Sequence, residues 1–370
     1  MTYGYSRPVV RMIEEDPDLR YSLIVTNQHL LPAFGYTIEE IEEDGLNVTD
    51  RIYMTLDGYT PATMTKSLGV FLLGVTDALV RLKPDIILVV GDRGEHLMAA
   101  MAGAHMNIPV AHIQAGELSG NIDGMTRHAI TRFAHIHFAS NQDAADRLLQ
   151  MGEQEFRIFL TGAPQLDELI NGAFASPEEV AGIIQLDLNE PVILVVQHPV
   201  TEEFGDTVFQ IQETLEAVCS FDLQTVLMFP NNDAGSEHAR RIIERYRRPH
   251  IKIERNVPRY IFAGLMNVAS VMVGNSSSGL IEAPYFKLPA VNVGNRQRDR
   301  MRGNNVIDVP YDRARIRAGI EKALSEELQK EMETNCENPY FGDGLVSERI
   351  VRILKSIETT EDLLKKQIAY

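Results

Sequence analysis

The stretch DIILVVGDRGEHLMAAMAGAHMNIPVAHI, residues 85–113, holds the architecture in small. An apolar run, DIILVVG (85–91), ends in a polar turn, GDRGEH (91–96). A segment with helical apolar spacing, EHLMAAMAGAHM (95–106), leads into a second apolar run, PVAHI (109–113). Runs that are apolar throughout, not at alternate positions, mark strands covered on both faces. A strand, a helix and a strand in about thirty residues is a parallel crossover unit.

The same alternation extends both ways along the chain. YSLIVT (21–26), HIHFAS (135–140) and RIFLTG (157–162) read as further buried strands, and TPATMTKSLGVFLLGVTDALVRL (60–82) as a helix. After a linker rich in Ala, Ser, Pro and Glu (173–190) the pattern restarts with PVILVVQ (191–197), TVLMFP (225–230), IKIE (251–254), SVMVGN (270–275) and PAVNVG (289–294). Helices are expected between these strands at about 202–219, 235–247, 258–267 and 279–286. Two such arrays predict an α/β chain of two doubly wound, Rossmann-like domains, residues 1–172 and 173–345, facing a cleft. Terminal helices are expected at 311–327 and 344–368, with residues 346–370 packing back on the first domain.

The opening, MTYGYSRPVVRMIEEDPDLR (1–20), reads as a turn and an amphipathic helix with no strand before it. A doubly wound domain usually begins with its central strand. Either the natural start lies upstream or the strand is absent, and its absence would leave a slot of unpaired backbone in the sheet.

Composition narrows the function. The 370 residues, 44% hydrophobic, are enough for two cores. A net charge of −17 argues against a nucleic-acid partner, although a local group of arginines can still hold a small anion. Two cysteines cannot build a disulfide framework, which suggests a reducing cytoplasm. With no run of 18 apolar residues and no signal peptide, a soluble protein with no membrane partner is expected.

Ligands of doubly wound folds bind at the carboxyl ends of the strands, and four polar stretches fall there. They are GDRGEH (91–96), QAGELSGNID (114–123), QHPVTEE (197–203) and GNSSSGLIEAP (274–284). In the last, Gly274 and Gly279 allow a ligand close approach, and Ser276, Ser277 and Ser278 offer hydroxyls and N–H groups at a helix start, a phosphate site. Glu282 could accept from a ribose diol, and Arg93, Arg296, Arg298, Arg300 and Arg302 are candidate counter-charges. Asp92, Glu117 and Asp123, with His198 opposite, suit proton abstraction and return. Each has a plainer reading: Asp92 as a helix cap, His198 as a core histidine, the serines as an N-cap, NRQRDRMR (295–302) as a solvated loop. Neither GxGxxG nor a Walker motif is present, no histidine pair has metal-ligand spacing, and no serine sits in a G-x-S-x-G elbow. No metal or other cofactor is expected.

Taken in order, GDR, HI-x-x-GE-x-SG-x-ID-x-x-x-RHAIT, HPVT, PNNDAGS, VGNSSSGLIEAP and VGNRQRDR resemble the hydrolysing UDP-N-acetylglucosamine 2-epimerases of sialic-acid biosynthesis, over about residues 3–350. The resemblance implies a GT-B fold, a UDP-sugar in the cleft and a homodimer or homotetramer. The implied reaction converts UDP-N-acetylglucosamine and water to UDP and N-acetylmannosamine, by anti-elimination through 2-acetamidoglucal and then hydration. It implies UDP contacts from Arg93, His198, Asn231, Val257, Ser276, Ser277, Glu282 and Arg296, and catalysis by Asp92, Gln114, Glu117, Asp123 and His198. Two departures stand out. Where the family has the catalytic glutamate of HIEGGE, this chain has Gln114 in HIQAGE, and a glutamine cannot titrate. A related branch, acting on UDP-2,4-diacetamido-2,4,6-trideoxyglucose for legionaminic-type acids, also departs there and is the alternative. A GT-B glycosyltransferase is the second alternative. Of the opening TRADYG only TYG (2–4) remains, so an arginine implied to touch the diphosphate is missing.

Overall fold

The computed structural model describes residues 3–340 and 342–369, so Thr2 of the opening TYG lies outside the described residues. Two compact units are present. One comprises Met1–Asp57, Ala62–Asn171 and Tyr340–Tyr370; the other comprises Gly58–Pro61 and Gly172–Pro339.

The second unit is a six-stranded parallel sheet. Its strands are β7 (Val192–Val196), β8 (Gln224–Met228), β9 (Ile251–Glu254), β10 (Val271–Gly274), β11 (Ala290–Val293) and β12 (Val306–Val309), following β1–β6 of the first unit. The order β9-β8-β7-β10-β11-β12 is that of a doubly wound sheet, winding outward in both directions from β7 and β10. β7 and β10 are buried along their whole lengths, as continuous Val/Ile/Leu runs require. Gly274, at φ +132°, ends β10 where a Cβ would lie 2.2 Å from the carbonyl oxygen of Val196. Only glycine fits that approach, and its service is to strand packing, where the sequence suggested room for a ligand. Gly279 likewise abuts Ala290.

Several sequence expectations are corrected here. The presumed linker holds a helix, Pro177–Ile184, started by Ser176 as N-cap and Pro177 at the first position. The helix expected at 279–286 is a single α-turn, Ser278–Ile281, followed by the 3₁₀ turn Ala283–Phe286, because Pro284 cannot continue the ladder. β12 had not been anticipated.

The first unit has a parallel pair, β1 (Leu23–Thr26) with β2 (Val48–Ile52), and a separate parallel sheet of β3 (Ile87–Val90), β4 (Val110–Ile113), β5 (Ile136–Ala139) and β6 (Ile158–Leu160). The same helices cover both sheets. On one side the Tyr3–Glu15 helix packs Val10 with Val25 of β1, and Val9 with Val90 and Ala111 of β3 and β4. On the other, the Pro61–Leu82 helix packs against Ile24 and Ile87. The open edges of β1 and β3 therefore lie within one sandwich, without a ladder between them.

The chain returns to this unit at its end. Asp167 accepts from the N–H groups of Val346 (3.1 Å) and Ser347 (2.7 Å), capping the Val346–Ser356 helix, which packs beside Tyr3–Glu15. Arg157, buried, donates to the carbonyls of Asp362 and Leu363 at 2.6 and 2.7 Å. Lys366 donates to Thr131 O (2.5 Å) and Ala134 O (2.8 Å), satisfying the end of the Ile122–Phe133 helix, and pairs with Glu153 at 2.6 Å.

Burial lowers the pKa values of six histidines of this unit, His96, His112 and His128 among them. Desolvation lowers His29, His135 and His137 to about 4. His137 bonds Glu153 at 3.0 Å, but Lys366 and Arg132 already occupy that carboxylate. Because the folded values lie below the unfolded value near 6.5, the unfolded chain binds more protons between pH 4 and 6.5. Stability is full above pH 6.5 and falls as pH drops towards 4. Urea titrations across that window should show an uptake of up to six protons on unfolding; a flat profile would contradict the assignment.

Candidate active site

In the second unit the site forms where the sheet reverses its winding, at the carboxyl ends of β7 and β10. Asn275, fully buried, ties the two loops together: its Oδ1 accepts from the His198 N–H (2.7 Å) and its Nδ2 donates to His198 O (2.8 Å). Its own carbonyl accepts from Gln297 Nε2 (2.9 Å) and Arg296 Nη1 (3.2 Å), drawing in the loop after β11. The imidazole of His198 is oriented by Asn231, whose N–H donates to His198 Nδ1 at 3.1 Å. An Nδ1 that accepts leaves the ring proton on Nε2, so His198 offers a donor to its surroundings.

Ser276 Oγ accepts from the Ser278 N–H (3.3 Å), shaping the turn that follows β10. Because the helix beyond is one turn long, anion binding here depends on individual N–H and O–H groups and cations more than on a helix dipole. Glu282, 1% exposed, pairs with Arg259. Val257 is buried after β9, just before Pro258 and the Arg259–Val268 helix. Of the other arginines, Arg300 turns inward to Gln297, Arg302 pairs with Asp308, and Arg298 is exposed.

In the first unit, the loops after β3 and β4 meet the Ile122–Phe133 helix. Arg127 is the hub, at 1% exposure. It pairs with Asp92, donates to Gln114 O at 2.9 Å, and lies 3.3 Å from Glu117. Gln114 takes a left-handed conformation, φ +59°, which is strained for a residue with a side chain and turns its carbonyl to Arg127. Its side chain is buried, and Nε2 has no hydrogen-bond partner among the described residues.

The three carboxylates are not equivalent. Glu117 is 2% exposed and held by Ser140 and Arg127. Asp92 keeps 19% of its side chain exposed. Asp123, half-buried, takes a 3.0 Å bond from Asn121 Nδ2. It stands one turn before Arg127 on the Ile122–Phe133 helix. Arg93 ends the β3 loop beside Glu95, at 3.9 Å. Asn275, Arg127 as hub, and Ser140 were missed as site residues; the Asn within GNSSSG and the Arg within RHAIT were the available signals. No group of three or more His, Cys, Asp or Glu side chains suited to a metal ion occurs among the described residues.

The family described as UDP-N-acetylglucosamine 2-epimerase matches residues 11–355. A UDP-N,N'-diacetylbacillosamine 2-epimerase (hydrolyzing) of Legionella pneumophila is 37% identical over 100% of this chain and 96% of its own. A GDP/UDP-N,N'-diacetylbacillosamine 2-epimerase (hydrolyzing) of Campylobacter jejuni is 33% identical over 82% of this chain and 80% of its own. In fold, the crystal structure of UDP-GlcNAc 2-epimerase from Neisseria meningitidis bound to UDP-GlcNAc superposes with a TM-score of 0.79, at 18% identity over 96% of both chains.

Proposed function

The chain belongs to the UDP-N-acetylglucosamine 2-epimerase family, an enzyme family of GT-B fold, and from that premise we propose that it hydrolyses and epimerises UDP-N,N'-diacetylbacillosamine, that is, UDP-2,4-diacetamido-2,4,6-trideoxyglucose. The full-length likeness to the Legionella enzyme carries this choice of sugar. Gln114, where the N-acetylglucosamine enzymes are read to have glutamate, is consistent with it.

A base removes the C2 proton of the sugar as UDP leaves C1, giving a 2-acetamido glycal. Water then adds at C1 and a proton returns to C2 on the opposite face, yielding UDP and the manno sugar. Asp92 and Asp123 handle these protons, and Arg127 balances the charge of Asp92. Glu117 and Gln114 hold that arginine in place. The UDP contacts are assigned to Arg93, Ser276, Ser277, Arg296 and the His198 Nε2–H for the diphosphate, Glu282 for the ribose, Val257 for the uracil, and Asn231 to orient His198. Donors placed on the leaving diphosphate stabilise the charge that develops as the bond breaks. The enzyme is assigned to the cytoplasm and to an assembly of two or four copies.

The test is incubation of purified protein with each UDP-sugar in D2O, without an acceptor. UDP release with deuterium at C2 of the freed sugar, faster for the diacetamido substrate, is the expected result. Turnover of UDP-N-acetylglucosamine alone would favour the reading the family description suggests. UDP release that requires an acceptor and leaves C2 unlabelled would point to glycosyl transfer.

A further inference from the structure

The loop after β4, residues 114–121, is held by arginines from two different helices. Gln114 and Gly116 are both left-handed, at φ +59° and +79°, and each has its carbonyl taken by a guanidinium. Arg127 of the Ile122–Phe133 helix donates to Gln114 O at 2.9 Å. Arg147 of the Gln142–Gln150 helix donates to Gly116 O through Nη1, also at 2.9 Å. Asp143, one turn earlier, fixes Arg147 from behind, accepting from its Nη1 and Nη2 at 2.8 and 2.9 Å. Asp143 and Arg147, with side chains 39% and 21% exposed, have the form of an ordinary i,i+4 surface pair, which adds little to stability. What distinguishes this pair is that it aims a donor at a loop of the site.

We propose that Arg147 is a positioning residue for the reaction, which sets, through the Gly116 carbonyl, the loop that runs from Glu117 to Asp123. Contacts that leave no slack carry the effect along the loop. A Cβ on Gly116 would collide with Ala144 O, so the loop lies directly on the helix that bears Arg147. Glu117, the next residue, accepts from Ser140, just before Asn141 caps that same helix. At the far end a Cβ on Gly124 would lie 2.6 Å from Ser119 O, so the loop also abuts the first turn of the helix that holds Asp123. Close packing passes a shift at Gly116 on to Ser119 and to that helix start. A misplacement of about 1 Å is enough to cost about 10²-fold in rate. The proposal rests on the assignment of Asp123 to proton exchange at C2, and its experiment separates the two.

Arg147→Met is compared with the parent chain for UDP release from the diacetamido UDP-sugar, for UDP affinity by calorimetry and for amide exchange. We expect kcat to fall about tenfold or more, with KM and UDP affinity within about threefold of the parent. Amides of residues 114–121 should exchange faster while the Gln142–Gln150 helix stays protected. Arg147→Lys keeps a cationic donor for the one carbonyl and should bring kcat back to within about threefold of the parent. Asp143→Asn, which loosens Arg147 without removing it, should cost less than Arg147→Met. A kcat for Arg147→Met within about twofold of the parent would overturn the proposal, because a surface ion pair alone predicts that result. So would a loss of UDP affinity equal to the loss of kcat, or no recovery in Arg147→Lys. If the parent releases UDP from neither UDP-sugar, the assigned reaction fails, and amide exchange decides: unchanged rates at 114–121 in Arg147→Met would overturn the clamp as well.

Discussion

Arg127→Met should lower stability by about 3–5 kcal/mol, the usual cost of removing one partner from a buried ionic group, and abolish UDP release. Arg127 is 1% exposed and neutralises two carboxylates, of which Glu117 is itself 2% exposed. Without it Glu117 loses the guanidinium 3.3 Å away, and the Gln114 carbonyl loses the donor towards which its left-handed turn directs it. A buried carboxylate without a cation must protonate or draw in water, and either loosens the β3 and β4 loops that carry the site. Arg127→Lys should recover only part of the loss, because one ammonium cannot span positions held by two arms of a guanidinium. Urea denaturation gives the stability and a coupled UDP assay the activity. A loss below about 1 kcal/mol with activity retained would show that Asp92 and Glu117 are neutralised in some other way.

Asp123→Asn should behave in the opposite manner, nearly silent in stability and severe in turnover. Asparagine keeps the shape and can still accept from Asn121 Nδ2 through its amide oxygen. Stability should stay within about 0.5 kcal/mol, as for most substitutions that leave packing and buried charge alone. What is lost is the ability to exchange a proton with C2, so kcat should fall by about 10²–10⁴. UDP affinity, measured by calorimetry, should stay near that of the parent, because the UDP contacts are assigned to other residues, all but Arg93 in the second unit. If affinity fell and kcat held, Asp123 would belong to nucleotide binding. Glu282→Ala gives the contrast: it removes the partner of Arg259 and should weaken UDP binding first.

The fold was legible wherever strands are buried on both faces. VILVV, VMVG and VAHI need no partner to be recognised, because short, mainly apolar runs between turn signals read as buried strands. It was less legible where burial is partial: β2, VTDRI, and β12, VIDV, mix charged with apolar residues and were not anticipated. Helix ends failed where a local breaker outweighed periodicity, as Pro284 does. In the site, residue types singled out Asp92 and His198, which follow strands, and Asp123, which opens a helix. They could not tell Glu117 from Asp92, since nothing in GE or GD states which carboxylate a guanidinium will enclose. Burial separates the two, and burial depends on contacts such as Ser140 to Glu117, 23 residues apart. Asn275 escaped for a related reason: a buried amide linking two loops has the same sequence signature as a turn residue.

The interrupted sheet of the first unit also bears on how that unit comes apart. Backbone ladders tie β3 to β6 into one block, whereas the β1–β2 pair is joined to that block through the side chains of two covering helices. Side-chain burial yields by degrees, while a shared ladder resists until it fails as a whole. The pair with its flanking turns is therefore a subglobal cooperative unit, able to open while the four-stranded block stays protected against amide exchange. The Asp92–Arg127–Glu117 group rests on the block that opens last.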